Sequence, residues 1–514
     1  MPSPSATTYD LAIVGAGING AGIARDAAGR GLKVLLVEQD DIAAATSQWS
    51  TKLIHGGLRY LEHLEFRLVR ESLAEREVLL HSAPHLVAPL AFVLPHEPHL
   101  RPAWLIRLGL FLYDNLGRRK TLPGSFSVDL GASKWGAGLK PTFHKGFVYA
   151  DARVDDARLV LHTVMAARDL GADVRVRTRL TAAVREDGGR RWRVTLADAT
   201  GATTDITARA LINASGPWVK RVRDLASRSP ARENVRHVKG SHIVVPRVHG
   251  EDHAYILQNA DNRIVFVIPF EDRYTLIGTT DVPVDAFETP QITDEEVAYL
   301  LDLANTYLAR PLSAADVVWT FAGVRPLYDD GASDPSSITR DYVFRTDAGA
   351  PGEALAPMLS IFGGKLTTYR KLAEHALDEL KAYFPRMGPA WTQEVRLPGG
   401  DLPPGGVTAW TAELQRRYPA LPPALLRGLA HRHGTQATAI LGNAKVPADL
   451  GEDFGNGLTA AEIDHCVRAE WARTADDVLW RRTKCGLGMP AADRARVAAC
   501  VERALAAADA CEAA

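Results

Sequence analysis

Cysteine is scarce in this 514-residue chain. There are four, Cys466, Cys485, Cys500 and Cys511, all within the last fifty residues. Their spacing matches neither a zinc site nor a CxxC redox pair, so no metal centre is expected and they read as plain thiols of a reducing compartment. No run of 18 apolar residues is present, which excludes a membrane-spanning helix. The first residues carry neither a charged n-region nor an apolar h-region, so export is not expected. Charge of one sign is also missing: 60 basic and 61 acidic residues leave a net −1. No overall field favours nucleic acid, and an anionic ligand must be held by a local cluster of cations. Internal repeats and low-complexity tracts are absent, and disorder is expected only at the first eight residues and the last few. With 46% hydrophobic and 24% charged residues, the chain is long enough for two or three domains and a large core.

What is present begins with Leu11-Ala12-Ile13-Val14, an apolar run that reads as a buried parallel strand. Gly15-Ala16-Gly17-Ile18-Asn19-Gly20 follows and opens a helical pattern ending near Gly29. A second apolar strand, Val34 to Val37, then finishes on Glu38. Gly15 suits the tight turn, Gly17 the approach of backbone N–H groups to a pyrophosphate, and Gly20 close helix–strand packing. Glu38, 23 residues after Gly15, is placed for a ribose hydroxyl. The order strand, glycine loop, helix, strand, acid is a dinucleotide-binding fingerprint. Alone it does not separate NAD from FAD.

The stretch that follows is polar and glycine-bearing: Thr46-Ser47-Gln48-Trp49-Ser50-Thr51-Lys52, then His55-Gly56-Gly57-Leu58-Arg59-Tyr60. Short hydroxyl side chains suit a cofactor's phosphates, and Gly56-Gly57 lets the chain pass flat against a planar ring. Here the chain resembles the FAD-dependent glycerol-3-phosphate dehydrogenases, within the D-amino-acid-oxidase-like FAD oxidoreductases. The likeness runs from about Asp10 to Lys484. Gln48-Trp49 departs from it, putting an indole where small residues are commoner.

Further along, Phe66, Val69, Leu73 and Leu80 mark one side of a helix. Trp104 to Tyr113 is apolar with Arg118-Arg119-Lys120 after it, and reads as a core helix with solvated ends in preference to a membrane-interface helix. A helix capped by Asp155 reaches Gly171. Short strands lead to Ala210 to Ala214, which runs into Ser215-Gly216, and in the resembling family this turn touches FAD. Strands of 241–246, 263–269 and 274–278 precede a helix with Thr293 and Glu296 at capping-box spacing. Met358 to Phe362 then enters Gly363-Gly364-Lys365-Leu366-Thr367 and a helix. This second strand–glycine–helix junction places another helix N-terminus where it can stabilise negative charge on a bound flavin. Gly399 to Gly406 reads as a linker, followed by Ala-rich helices in which Thr459 with Glu462 forms a capping box and Ile463, Val467 and Trp471 share a face.

The expected fold is α/β. A discontinuous Rossmann-like FAD-binding domain (1–80, 151–235, 346–398) accompanies a substrate or cap segment (81–150), a β-rich substrate domain (236–345) and a C-terminal helical domain (399–514). The resemblance implies oxidation of sn-glycerol 3-phosphate to dihydroxyacetone phosphate, electrons passing from FAD to a membrane quinone. It also implies a peripheral position on the anionic inner face of the cell membrane, and leaves a homodimer open. It puts Arg59, Tyr60, Arg325, Arg340 and Lys365 around the substrate, and Thr46, Ser47, Ser50, Lys52, Gly56, Gly57, Gly216 and 363–367 around FAD. A small dianionic alcohol needs converging cations, and Arg supplies planar bidentate contacts. For the alcohol's proton the residues leave three options open: His55, His242, or an alkoxide stabilised by Arg325. An oxidase that returns electrons to O2 as peroxide is the alternative within flavoenzymes. A non-catalytic dinucleotide-binding sensor is the alternative outside them.

Overall fold

The computed structural model describes residues 7–62, 64–97, 101–117, 120–226, 235–259, 263–329, 341–349 and 355–512. Arg340 and residues 1–6 of the expected disordered end lie outside them. Two sheets organise the chain. The first has at its centre Thr8–Val14, flanked in parallel by Val34–Val37 and Thr203–Asn213, with Met358–Phe362 parallel beyond the latter. These strands are apolar on both faces because both are covered: Ile18–Gly29, packed against Asp156–Asp169 and Tyr369–Glu379, lies on one, and Trp192, Val194, Leu196 and Val222 pack on the other. Leu11, Ile13, Val34, Leu36, Ile212 and Leu359 enter one core with alanines of the first helix. Residues more than 300 apart thus build one nucleotide-binding sheet, as the repeated glycine junction implies.

The second sheet is larger, with ten strands among the described residues. Val235–Pro246 pairs antiparallel with both Tyr274–Gly278 and Trp319–Tyr328. His253–Gln258 lies parallel to Val87–His96, which pairs with Lys145–Val154. The helix Asp294–Tyr307 covers it, and its capping box forms as expected, Thr293 and Glu296 satisfying each other's backbone N–H groups.

Four local expectations are corrected. The Gly399–Gly406 segment is not a free linker at its start: Gly399 and Gly400 are buried, and the Gly399 carbonyl accepts from Thr435 N–H at 3.0 Å. The Thr459 cap forms, but the Glu462 carboxylate turns to Arg432 and His433 in place of closing the box. Trp471 is the left-handed residue that ends its helix (φ 59°). Most consequential is the helix Ala103–Leu116. It buries Leu110 and Tyr113, but leaves Trp104 67%, Leu108 47% and Phe111 57% exposed. Hydrophobic periodicity alone cannot say which of two neutral media an apolar face meets. The cysteines are free thiols, with Cys466, Cys485 and Cys500 buried.

Candidate functional site

The two glycine junctions open on one cavity of about 450 Å³, within the usual range of a small-molecule site. Gly15, Gly17, Gly363 and Gly364 line it together with Glu38 and Gly216. Gly15 takes φ +103°, and a Cβ there would lie 2.6 Å from the Ala214 carbonyl oxygen. Gly20 does not line the cavity. A Cβ on it would meet the Gly15 carbonyl oxygen at 1.9 Å, which is the close loop–helix contact expected of it. The junctions are also tied directly. Asn19 Nδ2 donates to the Gly363 carbonyl at 3.1 Å, and Asn19 Oδ1 is a buried oxygen with no hydrogen-bond partner among the described residues.

Glu38 closes one end. Its carboxylate accepts from Ala16 N–H (2.8 Å) and Asp40 N–H (2.9 Å). Burial, partly offset by those two bonds, pushes its carboxyl up to about 7. Ser47 Oγ accepts from Ile18 N–H at 3.0 Å, and Thr46 Oγ1 donates to the Val324 carbonyl at 2.6 Å, so the hydroxyl segment ties the start of the first helix to the second sheet. Ser50 and Lys52 do not line the cavity. Lys52 Nζ is buried 2.9 Å from both Asp156 carboxylate oxygens, and Ser50 Oγ donates to the same group at 2.7 Å. An ammonium this deep needs a carboxylate, and Asp156 lies under the loop, not in the cavity. Trp49 does line the cavity, stacked on Phe321 at 5.4 Å.

Beside the cavity, segments 55–60 and 363–367 meet. His55 N–H donates to Thr367 Oγ1 at 3.3 Å, Lys365 Nζ sits 3.7 Å from the Tyr60 ring centroid, and Leu366 packs into the first core. Gly56 N–H donates to Tyr113 Oη at 2.8 Å, and Gly57 is left-handed at φ +76°. Arg59 is half-buried there. The second glycine junction reaches its helix only at Tyr369, after a turn. The His55 and Phe266 rings meet edge to face with centroids 6.4 Å apart, and Phe266 pairs with Gly278, which pairs with His242. His242 is buried, stacks on Phe321 at 4.7 Å and bonds Thr51 Oγ1 through Nε2 at 3.0 Å. Burial, with Arg325 and Lys52 adding to it, holds its imidazole well below the usual histidine range, so it is neutral near pH 7. Arg325 bonds Asp281 through Nη1 and Thr279 Oγ1 through Nη2 at 3.1 Å.

Several participants escaped the sequence reading. Asn19 stands inside the glycine loop and was recoverable from its place there. Trp218 and Phe287, edge to face at 5.4 Å on the cavity wall, come from a short helical turn and a loop about seventy residues apart and carry no common signal. His433, His465 and Glu470 bring three ligand atoms within 4.8 Å of one another in the C-terminal region. The Arg158 guanidinium already bonds Glu470 (2.7 Å) and His433 (3.0 Å), so the group is a buried ion-pair cluster.

Comparison with known proteins agrees with this geometry. The family described as FAD dependent oxidoreductase matches residues 10–370, and the C-terminal domain of alpha-glycerophosphate oxidase matches 390–509. The chain is 53% identical over 492 residues to the aerobic glycerol-3-phosphate dehydrogenase of Escherichia coli strain K12, covering 95% of this chain and 96% of that one. It is 47% identical over 490 residues to the D-erythritol 1-phosphate dehydrogenase of Brucella abortus, again covering 95% and 96%. The structure of the glycerol-3-phosphate dehydrogenase from Bacillus halodurans, complexed with FAD, superposes with TM-score 0.71 at 26% identity, over 97% of this chain and 94% of that one. The cavity suits that cofactor: glycines where a Cβ would block the backbone, an acid at one end and an unpartnered amide oxygen on Asn19. The chain belongs to the FAD-dependent glycerol-3-phosphate dehydrogenase family.

Proposed function

We propose that the protein oxidises sn-glycerol 3-phosphate to dihydroxyacetone phosphate and passes the electrons to a quinone in the membrane. The observation that carries this reading is the meeting of segments 55–60 and 363–367 beside a cavity shared by both glycine junctions. Bound FAD supplies the two-electron acceptor. The chain's own residues do the rest. Arg59, Arg325, Arg340 and Lys365 gather positive charge for the phosphate in a protein of net −1. Gripping the phosphate fixes the alcohol carbon, and alignment is the main requirement of hydride removal. His242, neutral by burial and bonded to Thr51 Oγ1, is too weak a base to keep a second proton taken from the alcohol. The half-buried His55 is then the proton acceptor we favour, and Arg325 lowers the cost of the alkoxide. Gly15, Gly17, Glu38, Thr46, Ser47, Gly56, Gly57, Gly216, Gly363, Gly364, Leu366 and Thr367 hold the cofactor, while Ser50 and Lys52 support it through Asp156. The domain boundaries given above belong to this proposal.

No described helix is long and apolar enough to cross a membrane. The exposed face of Ala103–Leu116 supports attachment to the cytoplasmic face of the membrane, where a lipid-soluble quinone is reached. The Brucella relative favours a second substrate within the same chemistry, D-erythritol 1-phosphate, because the phosphate grip does not depend on what lies beyond the alcohol.

The test is anaerobic mixing of the FAD-loaded protein with glycerol 3-phosphate, D-erythritol 1-phosphate or glycine in turn. Loss of the flavin's visible absorbance with glycerol 3-phosphate foremost is expected, and bleaching by glycine alone would overturn the reading. Reoxidation by a quinone analogue faster than by O2, with little peroxide, separates dehydrogenase from oxidase.

A further inference from the structure

Arg325 is not poised in the open. One arm of its guanidinium bonds the Asp281 carboxylate and the other bonds Thr279 Oγ1. Gly240 makes room for it: a Cβ there would lie 2.4 Å from Nη2 and 2.6 Å from Thr279 Oγ1. The turn that carries Asp281 is bolted down. Thr280 Oγ1 accepts from Ser241 N–H at 2.9 Å and donates to Glu296 Oε1 at 2.8 Å, and Lys239 Nζ lies 2.8 Å from the same carboxylate. Ser241, Thr280, Lys239 and Glu296 are all buried. Arg325 and Asp281 themselves remain 28% and 32% exposed, so solvent and small solutes reach both.

A fixed carboxylate on a cation meant for an anion has two consequences. It aims the guanidinium, which Thr279 and the strand pairing of Arg325 with Val238 also do. It also cancels charge: among the described residues Asp281 is the carboxylate paired with this guanidinium. We propose that Asp281 is a specificity-determining residue: a built-in counter-ion that holds down anion affinity at Arg325, so that a phosphate dianion competes successfully where a singly charged group does not. A carboxylate ligand offers Arg325 no more than Asp281 already provides, whereas a dianion adds charge and a third oxygen. This inference rests on the reading of Arg325 as a phosphate ligand.

The experiment is titration of inorganic phosphate and of acetate into the FAD-loaded full-length protein by calorimetry, for the wild type, Asp281→Asn, Arg325→Gln and the double variant. Asp281→Asn keeps one oxygen acceptor for the guanidinium and removes the charge, at nearly unchanged shape. Phosphate is expected to bind about tenfold more tightly to it, and acetate binding to become measurable, at low ionic strength. In the Arg325→Gln background the same substitution is expected to do nothing, since the two residues act on each other. Phosphate affinity unchanged or weaker in Asp281→Asn, while Arg325→Gln loses phosphate, overturns the counter-ion and leaves Asp281 a strut. Phosphate affinity unchanged in Arg325→Gln removes Arg325 from the pocket, and this inference falls with that reading. KM for glycerol 3-phosphate should fall in Asp281→Asn by more than kcat changes, and unchanged thermal midpoints certify the fold.

Discussion

Leu108 and Phe111 sit a turn apart on the Ala103–Leu116 helix with about half of each side chain exposed. If this face lies in lipid, a Leu108→Glu/Phe111→Glu double variant should leave the membrane. Fully burying a Leu or Phe side chain is worth roughly 1.5–3 kcal/mol, so covering the exposed half of both contributes about 2 kcal/mol. Each new carboxylate held against an anionic surface costs about 1 kcal/mol more. The loss of about 4 kcal/mol corresponds to roughly a thousandfold in partitioning. Because the replaced groups face outward and the inner pair Leu110 and Tyr113 is untouched, thermal stability should move by no more than about 0.5 kcal/mol. Flotation with vesicles of mixed zwitterionic and anionic phospholipid gives the answer. Wild type should rise with the vesicles and the variant stay below. Equal flotation of both would refute the assignment of this face, and loss of folding in the variant would show that the helix is less exposed than described.

Two further outcomes concern the cofactor. Gly20→Ala forces a methyl against the Gly15 carbonyl oxygen, and Gly15 is itself confined by Ala214, so the loop opens at a cost of about 1–3 kcal/mol. The variant should emerge from gel filtration with much of its FAD gone, and full retention would contradict the packing role. Glu38 carries a carboxyl raised from 4.5 to about 7 in the cofactor-free fold. A raised carboxyl binds its proton more tightly folded than unfolded, so the ligand-free protein loses stability as pH climbs from 4.5 towards 7. Accepting ribose hydroxyls favours the ionised form, so FAD uptake expels that proton. Its dissociation constant should fall by up to about tenfold per pH unit below 7, then level off, and Glu38→Gln should flatten the curve. A pH-independent affinity in the wild type would exclude Glu38 from the contact.

The nucleotide fold was readable because its signals are local. Apolar four-residue runs flanked by glycine announce buried parallel strands, and the same punctuation at Gly15 and Gly363 predicted that distant stretches share one sheet. Caps behaved likewise where the capping side chain had no competing partner: Asp155 accepts from Arg158 N–H at 3.1 Å. Glu462 broke the pattern because a tertiary partner, Arg432, outbids a backbone N–H for a carboxylate in a dry interior. The Gly399–Gly406 stretch misled for a related reason. Glycines that read as flexibility here permit backbone-to-backbone approach, Gly434 lacking the Cβ that would strike the Gly399 carbonyl at 2.0 Å.

Charged residues near the cavity were harder to sort, and Lys52 and Arg325 show why. Both stand in polar, glycine-bearing contexts, and both read as cations for an anionic ligand. What separates them is the distance of a carboxylate from solvent. Asp156 is wholly buried, so its pair with Lys52 is permanent: removing either partner strands a charge, and no solute can replace it. Asp281 is a third exposed, so its hold on Arg325 is open to competition from an incoming anion. A spacing pattern records neither quantity. It follows that a cation should be counted towards a binding site only when its resident counter-ion is exchangeable, and on that criterion Arg325 qualifies while Lys52 belongs to the scaffold beneath.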